Sequence, residues 1–255
     1  MYNFLLLKLK EGRKKSSFVV YALVGSFMTL IISFMTFSTN QNLDISSDYG
    51  QYGYQWTGLI LLAALASVSI CAPSAGRHKK GNFTDLLSLH GLKKKDQYWG
   101  IFLANVITSF QMALLLGLAM LVSLLIKRPA SSPLNFILAS LVYLTAISSV
   151  SFLITGLSFF ISPLALNLIG VLLVILASLR GVLDIVLGNL GGAFPNFLRL
   201  ILKALPPIGS FATIARDLFF GEFSSWNLLF SSLFYLWLLL GLVALIIHGV
   251  AKYEK

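Results

Sequence analysis

Long uncharged apolar runs alternate along this chain with short polar segments, and the runs have lengths that suit a bilayer. Residues 16–43 carry no charge. Their core, about 18–37, is long enough as a helix to cross roughly 30 Å of hydrocarbon. A polar stretch with Asp44 and Asp48 follows, and Tyr52, Tyr54 and Trp56 form an aromatic belt where a second run begins, about 56–72. A third run covers about 98–126, with Tyr98 and Trp99 at its start. Between Arg128 and Arg180 lie 51 uncharged residues. As one helix they would extend roughly 77 Å, enough for two crossings. Ser162-Pro163 is the natural break, because a residue before proline disfavours helical geometry. The runs 134–161 and 163–187 therefore meet in a tight turn, and a last run covers about 228–250. The pattern predicts an all-α polytopic membrane protein, with six spans in one transmembrane domain over residues 1–255.

The polar interruptions are as informative as the runs. Residues 76–96, GRHKKGNFTDLLSLHGLKKKD, hold six of the nineteen Lys and Arg. Within this island Phe83, Leu86, Leu87 and His90 fall at i, i+3, i+4 and i+7, the spacing of one helix face. Asn82 is placed to cap that helix, and Asp85 sits in its first turn near the positive end of the dipole. Gly91 suits the left-handed position that ends a helix, and Lys93, Lys94 and Lys95 follow. A second unusual segment, 188–226, opens on Gly188, Gly191 and Gly192 and continues as FPNFLRLILKAL, Pro206-Pro207 and a further helical piece ending at Gly221. It is too apolar for an ordinary loop. Short helices dipping into the outer leaflet fit it, with Arg199 and Lys203 at the headgroups. Just before it, Arg180 and Asp184 are i, i+4 and can pair as an interfacial anchor. At the N-terminus, Phe4 to Leu7 and Leu9 mix with Lys8, Lys10, Arg13, Lys14 and Lys15. Either an amphipathic helix on the inner membrane face or a basic tail that only sets topology fits them.

Composition sharpens this reading. Charged residues make up 11% of the chain, hydrophobic ones 57%, and the mean hydropathy is +0.86, values that exclude a water-soluble globule. The net charge of +10 does not imply nucleic acid, because the cations collect in short segments between apolar runs. With the N-terminus inside, thirteen Lys and Arg face the cytoplasm and six (Lys127, Arg128, Arg180, Arg199, Lys203 and Arg216) face outward. That bias predicts a plasma- or inner-membrane protein with both termini and the island cytoplasmic. The first run is too long for a signal peptide's apolar region and no A-x-A site follows it, so it reads as an uncleaved span. Cys71 is the lone cysteine and forms no internal disulfide or metal motif. His78, His90 and His248 are not spaced as ligand pairs. No phosphate-binding G-x-x-x-x-G-K-[ST] loop and no nucleophile motif is present, so the chain is expected to be no enzyme and to need no cofactor or metal of its own. Any energy source would then come from a partner.

The order of elements resembles the membrane subunit of ABC-2 type (type V) ABC transporters. That family has six spans, a cytoplasmic coupling helix between spans two and three, and re-entrant helices before span six. Its inner loop typically reads G-x-F-x-x-L-L-S-L-P with basic residues after, matched here by Gly81, Phe83, Leu86, Leu87, Ser88, Leu89 and Lys93 to Lys95. Its segment before the last span often reads as proline, apolar residues and R-x-L-x-x-G, matched by Pro207, Phe211, Ile214, Arg216, Leu218 and Gly221. His90 replaces the usual proline, and Arg77, His78, Lys79 and Lys80 replace an acidic residue. The resemblance implies a permease that seats residues 83–90 in a groove of a cytoplasmic ABC ATPase dimer, which would bind ATP and Mg. A second permease subunit, identical or not, would complete the path. Membrane lipid is the other expected partner, and an apolar or amphipathic cargo is expected. The alternative from a different class is a non-transporting membrane assembly or immunity protein that binds a partner. An intramembrane enzyme is poorly supported, since spans one to four lack Asp, Glu and His.

Overall fold

Backbone amides in hydrocarbon have no water to bond to, so a chain this apolar must satisfy them within each segment. The computed structural model describes residues 2–35, 48–80, 83–127, 132–190, 192–223 and 226–253, and among them there are twelve helices and no strand. In order they are α1 (Tyr2–Lys14), α2 (Ser16–Met35), α3 (Asp48–Cys71), α4 (Ser74–Lys80), α5 (Phe83–Leu89), α6 (Lys94–Lys127), α7 (Pro133–Leu157), α8 (Pro163–Ser178), α9 (Arg180–Leu190), α10 (Ala193–Ala204), α11 (Ile208–Phe220) and α12 (Trp226–Tyr253). The expected cap Asn82, the polar stretch with Asp44, Gly81, Gly191 and Arg128 lie outside the described residues.

Four helices, α3, α6, α7 and α12, are long and apolar enough to cross a membrane, and up to six spans result if each of two bent pairs counts as one. This is an all-α architecture of the membrane type. α3 is its centre: Trp56, Leu59, Ile60, Ala63, Ala64 and Ala66 are all buried. Its small alanines let α2, α6, α7, α8 and α11 pack around it. α12 sits at the periphery, with Phe234, Trp237 and Leu245 exposed.

The expected break at Pro163 is present. Ser162 has extended geometry and Pro163 opens α8, where its missing N–H costs nothing. The run 163–187 is not one helix, however. It breaks at Leu179, and α9 turns away from α8 by 72°. Sixteen residues remain in α8, roughly 24 Å of rise. α11 supplies the physical reason: its first turn is pressed against the end of α8, so that a Cβ on Gly209 would lie 3.2 Å from the Ser178 carbonyl oxygen.

α11, the second short helix of the segment 188–226, packs into the protein. Ile208, Phe211, Ala212, Ile214, Ala215 and Phe219 are buried, and the helix is wedged against α3 and α7. It ends at Gly221, whose φ of 76° admits the left-handed turn. There the Glu222 N–H bonds back to the Asp217 carbonyl and the Gly221 N–H to that of Leu218. α10 keeps most of its surface exposed and packs on α9.

The N-terminal segment is a docked helix. α1 lies along α6 with Phe4 and Leu9 buried, and it meets α6 where side chains are absent or small. A Cβ on Gly100 would fall 2.7 Å from the Phe4 ring, and one on Gly12 would fall 2.9 Å from the Thr108 hydroxyl. Arg13 Nε donates to Gln111 Oε1 at 2.9 Å. Lys15 Nζ donates to the Ile70 carbonyl at 3.0 Å, near the end of α3 where carbonyls and dipole both favour a cation.

Two apolar clusters result. The larger surrounds α3 and includes Trp56, Tyr143 and Phe211. The smaller joins Phe4, Ala75, Tyr98, Phe102, Phe159, Val243 and Ile247. It gathers α1, the island, the turn between α7 and α8 and the last part of α12 at one end of the bundle. The bend between α8 and α9 and the end of α11 at Gly221 lie toward the other end, where Trp56 meets Phe136 and Phe219.

Candidate functional site

The island folds as two short helices rooted on the first turns of α6. α3 ends at Cys71, and Ser74 Oγ donates back to the Cys71 carbonyl as α4 begins. Asn105 Nδ2 on α6 reaches Ser74 Oγ at 2.8 Å and Thr155 Oγ1 on α7 at 3.0 Å, which ties three elements together. α4 runs against the α7–α8 turn, so that a Cβ on Gly76 would touch the Pro163 ring at 3.3 Å.

α5 spans residues 83–89 with Asp85 in its first turn. It ends as the sequence predicts. Gly91 has φ of 83°, the Leu92 N–H bonds to the Leu87 carbonyl, and the Gly91 N–H bonds to the Ser88 carbonyl. This is a Schellman motif, in which the left-handed residue lets two orphan carbonyls find donors.

Which face of α5 points inward is set by Gln97, a fully buried residue on α6. Its Nε2 lies 2.9 Å from the Leu92 carbonyl, 3.1 Å from that of Thr84 and 3.3 Å from Ser88 Oγ. Two amide protons are thus offered three acceptors. Its Oε1 lies 2.9 Å from His78 Nε2 on α4. One side chain therefore joins α4, α5 and α6. His78 is packed beside Phe4 and Tyr98, with ring centroids at 5.8 and 6.2 Å.

The predicted single face of Phe83, Leu86, Leu87 and His90 is split by this arrangement. Thr84 and Ser88 turn toward Gln97, and Leu87 packs on the smaller apolar cluster. Leu86 and His90 face outward together with Asp85 and Leu89. Leu86 is 53% and Leu89 83% exposed, a bare apolar pair on a helix of seven residues. Lys93 and Lys95 are exposed beside it, and Lys94 Nζ lies 3.4 Å from Asp85 Oδ1. Sequence reasoning missed Gln97 and His78. An uncharged amide just ahead of Tyr98-Trp99, at the mouth of an apolar helix, was the available signal.

At the other end, Asp184 pairs with Arg199 at 2.8 Å and not with Arg180. The break at Leu179 places Arg180 at the first residue of α9, and α10 lays Arg199 over α9 beside Gly188. That guanidinium donates through Nε to Asp184 Oδ1. Arg216 pairs with Asp217 at 3.0 Å. Lys203 lies exposed in the last turn of α10, and Pro207 is buried ahead of α11. A cleft of about 610 Å³ opens between the α8–α9 bend and α11, lined in part by Arg180, Arg216, Pro207, Ser210 and Thr213.

Among the described residues no three His, Cys, Asp or Glu side chains come together as a metal site. Cys71 is buried, with Sγ 3.6 Å from Ser109 Oγ. No protein-family model matches the chain, and no curated protein matches it significantly.

Proposed function

We propose that this chain is the permease subunit of an ABC-2 type exporter, driven by a separate cytoplasmic ABC ATPase dimer that binds ATP and Mg. The observation that carries the reading is the exposed apolar pair Leu86 and Leu89 on a helix fastened from behind by Gln97. A short apolar knob on a rigid root suits insertion into a groove of a second protein, where burial of two leucines supplies on the order of 3–6 kcal/mol. Asp85, His90, Lys93 and Lys95 frame it with polar groups, as at the rim of an interface.

Closure of the ATPase pair on nucleotide would displace α5. The Gln97 bonds and the Asp85–Lys94 ion pair would carry that displacement to α6, whose 34 residues extend roughly 51 Å. The contact of Gly76 with Pro163 would carry it to the turn between α7 and α8. Rigid-body rocking of packed helices is an established mode of such switching. A second permease subunit would form the path with this one, and the island would lie on the cytoplasmic side of the plasma or inner membrane with both termini. The distribution of Lys and Arg supports that orientation.

The test is co-purification with the cognate ATPase in detergent, using Leu86→Asp and Leu89→Asp. Both side chains are exposed, so the variants should fold, yet each should lower ATPase association about tenfold or more. Unchanged association and unchanged stimulation of ATP turnover would refute the coupling role. Partner binding without any stimulation of turnover would instead favour the assembly or immunity reading.

A further inference from the structure

The cleft at the α8–α9 bend is distant from the island and has its own chemistry. Its lining mixes the two kinds of side chain: Arg180, Asp184, Arg216, Ser210 and Thr213 stand together with Val182 and Leu228. Its acids are already committed, Asp184 to Arg199 at 2.8 Å and Asp217 to Arg216 at 3.0 Å. Arg180 adds a third guanidinium to these two pairs, and although its charge also acts on Asp184, the group keeps one net positive charge. The first turn of α11, Gly209 and Ser210, also borders it with the N-terminal end of a thirteen-residue helix, beside the last turn of α8 at Ala177 and Ser178. A volume of about 610 Å³ is in the range of small-ligand sites.

From these observations we propose that the cleft binds the phosphate headgroup of an anionic amphiphile. Arg180 is the direct phosphate ligand, the α11 amides are auxiliary donors, and Val182 and Leu228 meet the first carbons of the tail. A planar guanidinium offers two parallel N–H donors to phosphate oxygens, which lysine cannot do. The adjacent ion pairs are neutral overall and so do not repel the anion. The site stands independently of the coupling role, since it lies toward the opposite end of the bundle and needs no ATPase.

The experiment uses the lipid-stripped full chain in a neutral detergent. Binding is read by native mass spectrometry and by the unfolding midpoint, with phosphatidylglycerol, phosphatidylcholine or inorganic phosphate added in turn. Phosphatidylglycerol should bind and raise the midpoint. Arg180→Gln should weaken that binding about tenfold or more, the usual effect of losing a charge-assisted bond. Arg180→Lys should restore part of it, and Lys203→Gln, a change of equal charge on α10, should leave it intact. Competition by inorganic phosphate at millimolar concentration supports the site with a soluble source, whereas its failure to compete assigns the site to lipid. Equal binding of phosphatidylglycerol and phosphatidylcholine, or equal loss in Arg180→Gln and Lys203→Gln, would overturn the proposal.

Discussion

At the island, polar side chains are buried and bonded inward, whereas at the α9–α10 end the charges stay at the surface and bond to one another. Gln97 is fully buried, with His78, Thr84 and the Leu92 carbonyl as its neighbours. The Asp184–Arg199 pair keeps 43% and 34% of its side chains exposed. The physics of the two differs in consequence. A buried amide that loses its partners leaves several groups without solvent or replacement, which costs about 1–3 kcal/mol for each stranded group. An exposed ion pair that is broken simply returns to water. The island is therefore a rigid joint, and the far hairpin is an adjustable surface.

The largest effect that can test this contrast is Gln97→Leu. It removes the shared donor of α5 and the partner of His78 together, so destabilisation of about 2–3 kcal/mol is expected. Thermal unfolding in detergent should register it, and limited proteolysis should reach residues 90–95 sooner. An unaltered midpoint with unaltered proteolysis would mean that the joint is held by something else.

A middle-sized effect compares the two Schellman turns. A Cβ on Gly91 would meet nothing within 4 Å, while one on Gly221 would lie 3.1 Å from the Asn135 amide nitrogen. Alanine at either site bears the strain of positive φ, about 1 kcal/mol. Gly221→Ala must also shift Asn135, so its midpoint should fall further than that of Gly91→Ala. The reverse order would contradict the packing around Gly221.

Asp184→Asn should be the smallest. Arg199 donates to this carboxylate while both side chains stay partly exposed, so the pair contributes little to stability. At neutral pH the substitution should shift the midpoint only slightly, and added salt should erase the difference. A large, salt-insensitive loss would show that the hairpin is a rigid joint like the island.

The sequence alone carried a good part of this structure. Apolar runs of bilayer length located the long helices, Ser162-Pro163 located a turn, and Gly91 and Gly221 located two helix ends, because each depends on local chain chemistry. What depends on a distant partner was not legible. Helical spacing grouped Phe83, Leu86, Leu87 and His90, but the inward face of α5 was chosen by Gln97, a residue beyond the helix. The i, i+4 rule paired Arg180 with Asp184, yet α10 folds back and supplies Arg199. A run of apolar residues could not disclose the break at Leu179, which follows from the close approach of α11. Nor could spacing decide between a tail and a helix at the N-terminus, since Phe4 and Gly12 find close-fitting partners on the distant α6.

That last pairing has a consequence for biogenesis. Arg13 and Gln111 are separated by 98 positions, so α1 leaves the ribosome well before its berth on α6 exists. At synthesis rates of about 5–20 residues per second, the wait lasts on the order of 5–20 s. Throughout that interval Phe4 and Leu9 lack the α6 surface that covers them in the folded protein, and the membrane face or a chaperone is left to hold the helix until the third long apolar segment arrives.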